Sequence, residues 1–208
     1  IKEDATFPVK VLPAWRPDKG LNCDRTGYRD YITKLDEASG VPITDLASLK
    51  NAYLNRLDFF EENGCRVADH GIDETVPYKI VGESDLDLIF KKALETNGTG
   101  VSFDEADAIR TYLLKFFAGE YNRRGWVMQI HFAVLRNVNP AMHKALGPDT
   151  GYDIIGGRPS VTELARLLGE ITKETELPRT VIYSINPNDN AAVAALIGAF
   201  QSSDGSRL

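Results

Sequence analysis

The stretch that most constrains this chain is Trp126–Asn139, which reads WVMQIHFAVLRNVN. Trp126, Val127, Met128, Ile130, Phe132 and Val134 form an almost unbroken apolar run, interrupted by Gln129 and His131. Such a run is expected of a strand buried on both faces, as in a parallel sheet wrapped by helices. Arg136, Asn137 and Asn139 follow where the strand should end. In a barrel of parallel strands, chemistry collects at the strands' C-terminal ends. His131 and Arg136 therefore stand where a site would be built. Taken singly, His131 reads equally well as a hydrogen-bonded core histidine, and Arg136 as a surface salt-bridge partner. Their joint position at one strand end favours a site.

The rest of the chain alternates in the same way. Phe7–Trp15 (FPVKVLPAW) reads as a strand stopped by Pro17, which leaves Arg16 at its C-terminal end. Thr26–Ala38 has helical spacing, and Gly40 and Pro42 then break the chain. Thr44 opens a longer helix with Leu46, Leu49, Tyr53, Leu57 and Phe60 inward and Gly64 as its stop. Cys65–Ile72 is a short strand ending in Asp69-His70-Gly71, followed by an irregular connection over Val76–Gly82 and a helix over Asp85–Thr96. Ser102-x-x-Glu105 is a capping-box signature that opens a helix from Phe103 to about Arg123, with Leu113, Phe116, Phe117 and Tyr121 inward. A long glycine-rich loop (140–157) follows the Trp126 strand. Ser160-x-x-Glu163 repeats the capping pattern for a helix to about Thr175. The strand Thr180–Ile185 then ends at Asn186-Pro187-Asn188-Asp189-Asn190, whose last residues suit the N-cap of a helix over Ala191–Phe200.

Strands alternating with helices indicate parallel strands joined by helical crossovers. The expected class is α/β, of the (β/α)8 TIM-barrel type. It would be a partial barrel of about four parallel strands, because a complete one takes ~250 residues. One domain is expected over 1–208, with a helical excursion at about 26–64. The chain begins at Ile1 rather than Met, shows no leader, and stops at QSSDGSRL just after a helix. A piece of a longer protein is the expectation.

Composition narrows the partners. A net charge of −6 argues against nucleic acid, but not against an anionic small molecule, which local arginines would decide. No apolar run approaches the ~20 residues that span a bilayer, so no membrane partner is expected. Cys23 and Cys65 are too few for a disulfide framework or a cysteine zinc site. Both read as free thiols of a reducing cytoplasm.

Four strand ends carry polar groups: Arg16, Asp69 with His70, His131 with Arg136, and Asn186 to Asn190. Each has an ordinary explanation. Arg16 has Asp18 and Asp4 as surface partners nearby, Asp69 can cap the turn at Gly71, and the asparagine string suits any strand-to-helix turn. Together they bring two arginines, a carboxylate and one or two histidines to one edge. The guanidinium fork binds a carboxylate bidentately, and an Asp or His moves a proton near neutral pH. The combination suggests a small acidic, hydroxylated substrate undergoing proton transfer. No HxH, HExxH, Gly-x-Ser-x-Gly elbow or P-loop occurs. Gly147-Pro-Asp-Thr-Gly151 reads equally as a structured turn covering the barrel mouth and as a substrate lid.

LPAWRPDK (12–19), ADHG (68–71), MQIHFAVLRNVN (128–139), ALGPDTGYDIIGG (145–157) and LPRTVIYSINPNDN (177–190) resemble, in order, the strings of the uronate isomerase family, also called glucuronate isomerase. The resemblance implies a (β/α)8 barrel of the amidohydrolase superfamily. It implies interconversion of D-glucuronate with D-fructuronate and of D-galacturonate with D-tagaturonate, by moving hydrogen between C1 and C2. It further implies that Asp69 and His131 are active-site residues, with Arg16 and Arg136 as substrate-binding arginines. The family's N-terminal HxH, its late aspartate in a Thr-Asp-Ser-Arg string and its Trp-Trp-Phe string are absent here. The resemblance therefore implies no cofactor in this segment and a divalent metal such as zinc in the complete enzyme. The segment alone is expected to be inactive, a uronate is the expected partner, and a homo-oligomer is left open. Two alternatives stand beside this reading: a non-catalytic sugar-acid binding module and a metal-dependent hydrolase of the same superfamily.

Overall fold

A computed structural model describes residues 6, 9–72, 76–156, 161–202 and 205–206. Helices α1 (Asp18–Leu21), α2 (Tyr28–Ser39) and α3 (Leu46–Glu62) precede strand β1 (Val67–Gly71). Helices α4 (Glu83–Glu95) and α5 (Phe103–Arg124) lead to β2 (Val127–Phe132). After β2 come β3 (Val134–Leu135), α6 (Pro140–Leu146), β4 (Ile154–Ile155), α7 (Val161–Ile171), β5 (Thr180–Ser184) and α8 (Asn190–Ala199). A short antiparallel pair, Gln201–Ser202 with Gly205–Ser206, follows α8.

The main sheet has the order β1-β2-β5, and both pairings are parallel. The strand expected over Phe7–Trp15 contracts to one parallel bridge, Trp15 to Ala68. Trp15 N–H donates to Val67 O at 3.0 Å, and its carbonyl accepts from Asp69 N at 2.8 Å. Val9, Val11 and Leu12 are exposed. Phe7 and Pro8 lie outside the described residues.

The helix starts follow local chemistry. Asp45, not Thr44, caps α3, accepting from Ser48 N at 2.8 Å while Ser48 Oγ accepts from Asp45 N at 3.0 Å. Ser102 and Glu105 form the expected box on α5, and Gly125 closes that helix with φ +65°. The loop expected over 140–157 holds α6, capped by Asn139 with Pro140 in the first turn, and the antiparallel β3–β4 pair. Gly157 and the Ser160 cap lie outside the described residues. Helix α7 ends at Ile171 rather than near Thr175 and gives way to a turn.

The sheet buries one face, not the two expected from the apolar run. Ala68, His70, Met128, Ile130 and Phe132 are buried, whereas Val67, Asp69, Val127, Gln129 and His131 are half-exposed. Side chains alternate with period 2, so the two polar residues of β2 share the second face. On β5, Val181 and Tyr183 continue that open face. The buried face packs on α5, where Phe117 and Tyr121 stack with parallel planes and Tyr121 stacks on Trp126. Trp15 meets Tyr53, Phe60 and Phe117 edge-on. Truncating one such aromatic to alanine would cost roughly 3–5 kcal/mol. This core is what holds the polar strand ends at a fixed height.

Candidate active site

Strand β1 sets the first carboxylate. Asp69 and Gly71 fall on the open face, and the residue between them, His70, turns into the core and is fully buried. In register, Asp69 stands opposite Gln129 and Gly71 opposite His131. The His131 imidazole leans back diagonally from Gly71 toward Asp69. Its Nε2 lies 2.8 Å from Asp69 Oδ1. Its ring stacks on Tyr183 of β5, with centroids 4.4 Å apart and planes 7° from parallel. Neighbours on both sides thus fix the imidazole in position and tilt.

Arg16 reaches the same place from the end of the Trp15 bridge. Its Nη1 donates to Asp69 Oδ2 at 2.9 Å and its Nε to Asp18 Oδ2 at 2.9 Å. Arg16 is thus paired with Asp18, as at an ordinary surface, and also with Asp69 across 53 residues of chain. Asp4 lies outside the described residues.

Arg136 is presented differently. After β2 the backbone takes left-handed φ values at Ala133 (+68°) and Asn137 (+51°), which turn the chain back across the strand ends. Arg136 Nη1 donates to Asp153 Oδ2 at 2.9 Å, and the Asn137 backbone N–H donates to Asp153 Oδ1 at 2.8 Å. Asp149 Oδ1 is 4.0 Å from the same Nη1. The Gly147–Gly151 turn therefore leads into the aspartate that holds Arg136.

One point gathers these groups. A methyl group built on Gly71 would lie 2.7 Å from Arg16 Nη2, 3.3 Å from Asp18 Oδ2 and 3.9 Å from Arg136 Nη2. Two guanidinium groups, from chain positions 120 residues apart, approach the same glycine beside the Asp69–His131 pair. All four residues singled out from the sequence come together.

Other strand-end residues do not join them. His70 Nε2 is 3.0 Å from the Tyr121 hydroxyl, inside the core. Asn186 accepts from Asn188 N at 3.1 Å, and the string up to Asp189 forms a 3-10 turn ahead of α8. Sequence reading gave Asp18 only as a surface partner of Arg16 and Gly71 only as a turn, and it missed Asp153 and Tyr183. Tyr183 and Gly71 were within reach, because period-2 spacing places them on the face of His131 and Asp69.

The electrostatics favour fixed charges. Burial pushes the Asp18 carboxyl up, but His70, the Gly71 N–H and Arg16 together hold it below the usual carboxylate range. Burial raises both thiols, Cys23 up to about 12, which leaves them unreactive at neutral pH. Among the described residues, no three of His, Cys, Asp and Glu come together to hold a metal ion. The described residues thus do not by themselves form the divalent-metal centre that the resemblance implies. No described helix is long and apolar enough to cross a membrane.

The sequence profile of the glucuronate isomerase family matches residues 1–207. The chain belongs to the glucuronate isomerase family. It is 42% identical over 203 residues to a uronate isomerase of Lachnospira eligens, and 44% identical over 203 residues to one of Lachnoclostridium phytofermentans. Each match covers 98% of this chain and 43% of the relative, so the chain spans less than half the length of these curated relatives. A crystal structure of uronate isomerase from Thermotoga maritima superimposes with a TM-score of 0.84 at 28% identity, over 94% of this chain and 42% of that one. The glucuronate isomerase fold therefore accounts for the parallel α/β arrangement.

Proposed function

We propose that this chain is the central part of a uronate isomerase that interconverts D-glucuronate with D-fructuronate and D-galacturonate with D-tagaturonate. In this reading residues 1–208 form one unit of a (β/α)8 barrel of the amidohydrolase superfamily. The open face of the β1-β2-β5 sheet is the barrel interior, and the excursion at about 26–64 packs outside it. The observation that carries the reading is the convergence of Arg16 and Arg136 on Gly71, next to the Asp69–His131 pair.

The chemistry follows from the groups. A uronate carries a carboxylate at one end and the reacting carbons at the other. Two guanidinium groups aimed at one point suit the carboxylate, since each adds charge-assisted hydrogen bonds in a defined plane. Aldose–ketose conversion takes a proton from C2, returns a proton to C1, and moves the hydroxyl proton from O2 to O1. A carboxylate and an imidazole in contact can relay such protons between carbon and oxygen near neutral pH. Asp69 is assigned to the sugar hydroxyl and its proton, and His131 to polarising the sugar oxygen. A divalent metal such as zinc, held by segments outside this chain, would polarise oxygen as a Lewis acid. The reading extends to a cytoplasmic protein, consistent with two buried free thiols, and leaves the oligomeric state open.

The test uses the full-length protein that contains this segment. Incubated with D-glucuronate and with D-galacturonate, it should form the matching ketoses at ~1 s⁻¹ or faster. Hydrolysis of amides or lactones with no ketose formed would overturn the reading.

A further inference from the structure

Beneath the four site residues lies a buried chain of polar contacts. Asp18 opens α1, directly after Pro17, and is largely buried. One of its oxygens, Oδ2, accepts from two donors at once: Arg16 Nε at 2.9 Å and the Gly71 backbone N–H at 2.9 Å. Its other oxygen, Oδ1, faces His70 Nδ1 at 3.5 Å. His70 Nε2 is 3.0 Å from Tyr121 Oη, deep in the aromatic core. With Nδ1–H turned to the carboxylate, Nε2 is the acceptor and the Tyr121 hydroxyl donates. The contacts run Tyr121, His70, Asp18, Arg16, Asp69, His131, from α5 to the open face.

The order of burial gives this chain a direction. His70 and Tyr121 are fully buried, Asp18 is 17% exposed and Arg16 is 54% exposed. A half-exposed arginine ordinarily samples many rotamers, at a cost of up to ~2 kcal/mol when it is fixed. Arg16 is fixed by the two carboxylates, Asp18 through Nε and Asp69 through Nη1. Asp69 faces the site, and its other oxygen belongs to His131. Asp18 is the partner tied to the core.

We propose that Asp18 is a positioning residue: it sets the plane of the Arg16 guanidinium relative to Gly71, and so aims Arg16 Nη2 at the substrate carboxylate. His70, held at its other nitrogen by Tyr121, lies 3.5 Å from Asp18 in turn, and a side chain at Gly71 would push Arg16 Nη2 aside from 2.7 Å. This rests on the proposed uronate site. It differs from a structural role in acting through one arginine only.

A double-mutant cycle in the full-length protein separates the possibilities. Asp18→Asn keeps the shape but removes the charge and turns a donor toward other donors. KM for D-glucuronate should rise about tenfold, the worth of one charged hydrogen bond, with kcat changing much less. In an Arg16→Ala background the same substitution should change KM by less than about twofold. Gly71→Ala, which keeps the Asp18 charge and crowds Arg16 Nη2 most closely, should raise KM similarly and lose most of its effect in the same background. It also serves as the second probe if Asp18→Asn does not fold. If Arg16→Ala alone leaves KM unchanged, the uronate-site reading fails. If Arg16→Ala raises KM but Asp18→Asn and Gly71→Ala have no effect, or the same effect with and without Arg16, the positioning role is wrong and the site reading stands.

Discussion

His131 Nε2 lies 2.8 Å from Asp69 Oδ1, although the two residues are not opposite each other in the sheet. The residue opposite His131 is Gly71, and the imidazole reaches diagonally past it to the carboxylate one step back on the same face. Tyr183 backs the ring from the other strand. Sheet register and the stacking on Tyr183 thus build the pair.

Asp69→Asn tests what the pair does. The amide keeps the size of the carboxylate and loses its charge and basicity. In the full-length protein, kcat on D-glucuronate should fall at least about a hundredfold, the usual worth of a general acid or base. KM should move less than about threefold. A fall in kcat of less than about tenfold would leave Asp69 only a partner for Arg16.

Arg136→Lys should be more damaging than its conservative chemistry suggests. Arg136 spends Nη1 on Asp153 and extends Nη2 toward Gly71. A lysine has one nitrogen and cannot hold the aspartate and a substrate oxygen in one plane. Steady-state kinetics should show kcat/KM reduced roughly tenfold to a hundredfold, since each charged hydrogen bond lost costs about 1.5–3 kcal/mol. A loss below about threefold, with the fold intact by circular dichroism, would return Arg136 to the surface, where an ion pair is worth about 0–1 kcal/mol.

Glu105 gives a stability test independent of catalysis. The Ser102 backbone N–H, then Lys92 and the Ser102 hydroxyl, lower its carboxyl from 4.5 to about 2. A carboxyl lowered by folding contributes stability that is complete above its unfolded value and is lost as pH falls through its folded value. Urea unfolding should therefore show the midpoint falling between about pH 4.5 and about pH 2, and Glu105→Gln should flatten that part of the curve. Parallel curves for the two proteins would mean that the cap carries no such linkage.

What was legible in the sequence divides by the range of the interaction. The Ser102–Glu105 box and the Gly125 stop are set within a few residues and could be read directly. Asn139-Pro140 carried an equally local signal for α6, hidden by the glycines that follow. The Phe7–Trp15 run looked like a strand, but a strand needs a partner strand, and among the described residues of the run only Trp15 forms a bridge. For the candidate site, the strand ends pointed to Arg16, Asp69, His131 and Arg136. Asp18 was legible only as a local partner of Arg16, and Asp153 not at all, because its contact depends on how the segment after Gly151 folds back onto the strand ends. The burial of His70 follows from alternation with Asp69.

The most direct test of the two-arginine site compares D-glucuronate with its neutral methyl ester, which differs at the carboxylate alone. In the full-length protein, kcat/KM should favour the acid by about a hundredfold or more, with each tenfold corresponding to about 1.4 kcal/mol. Arg16→Ala and Arg136→Ala should each shrink that preference at least about tenfold while changing turnover of the ester little. If both variants keep the full preference for the acid, or lose activity equally on the two substrates, the arginines do not read the carboxylate.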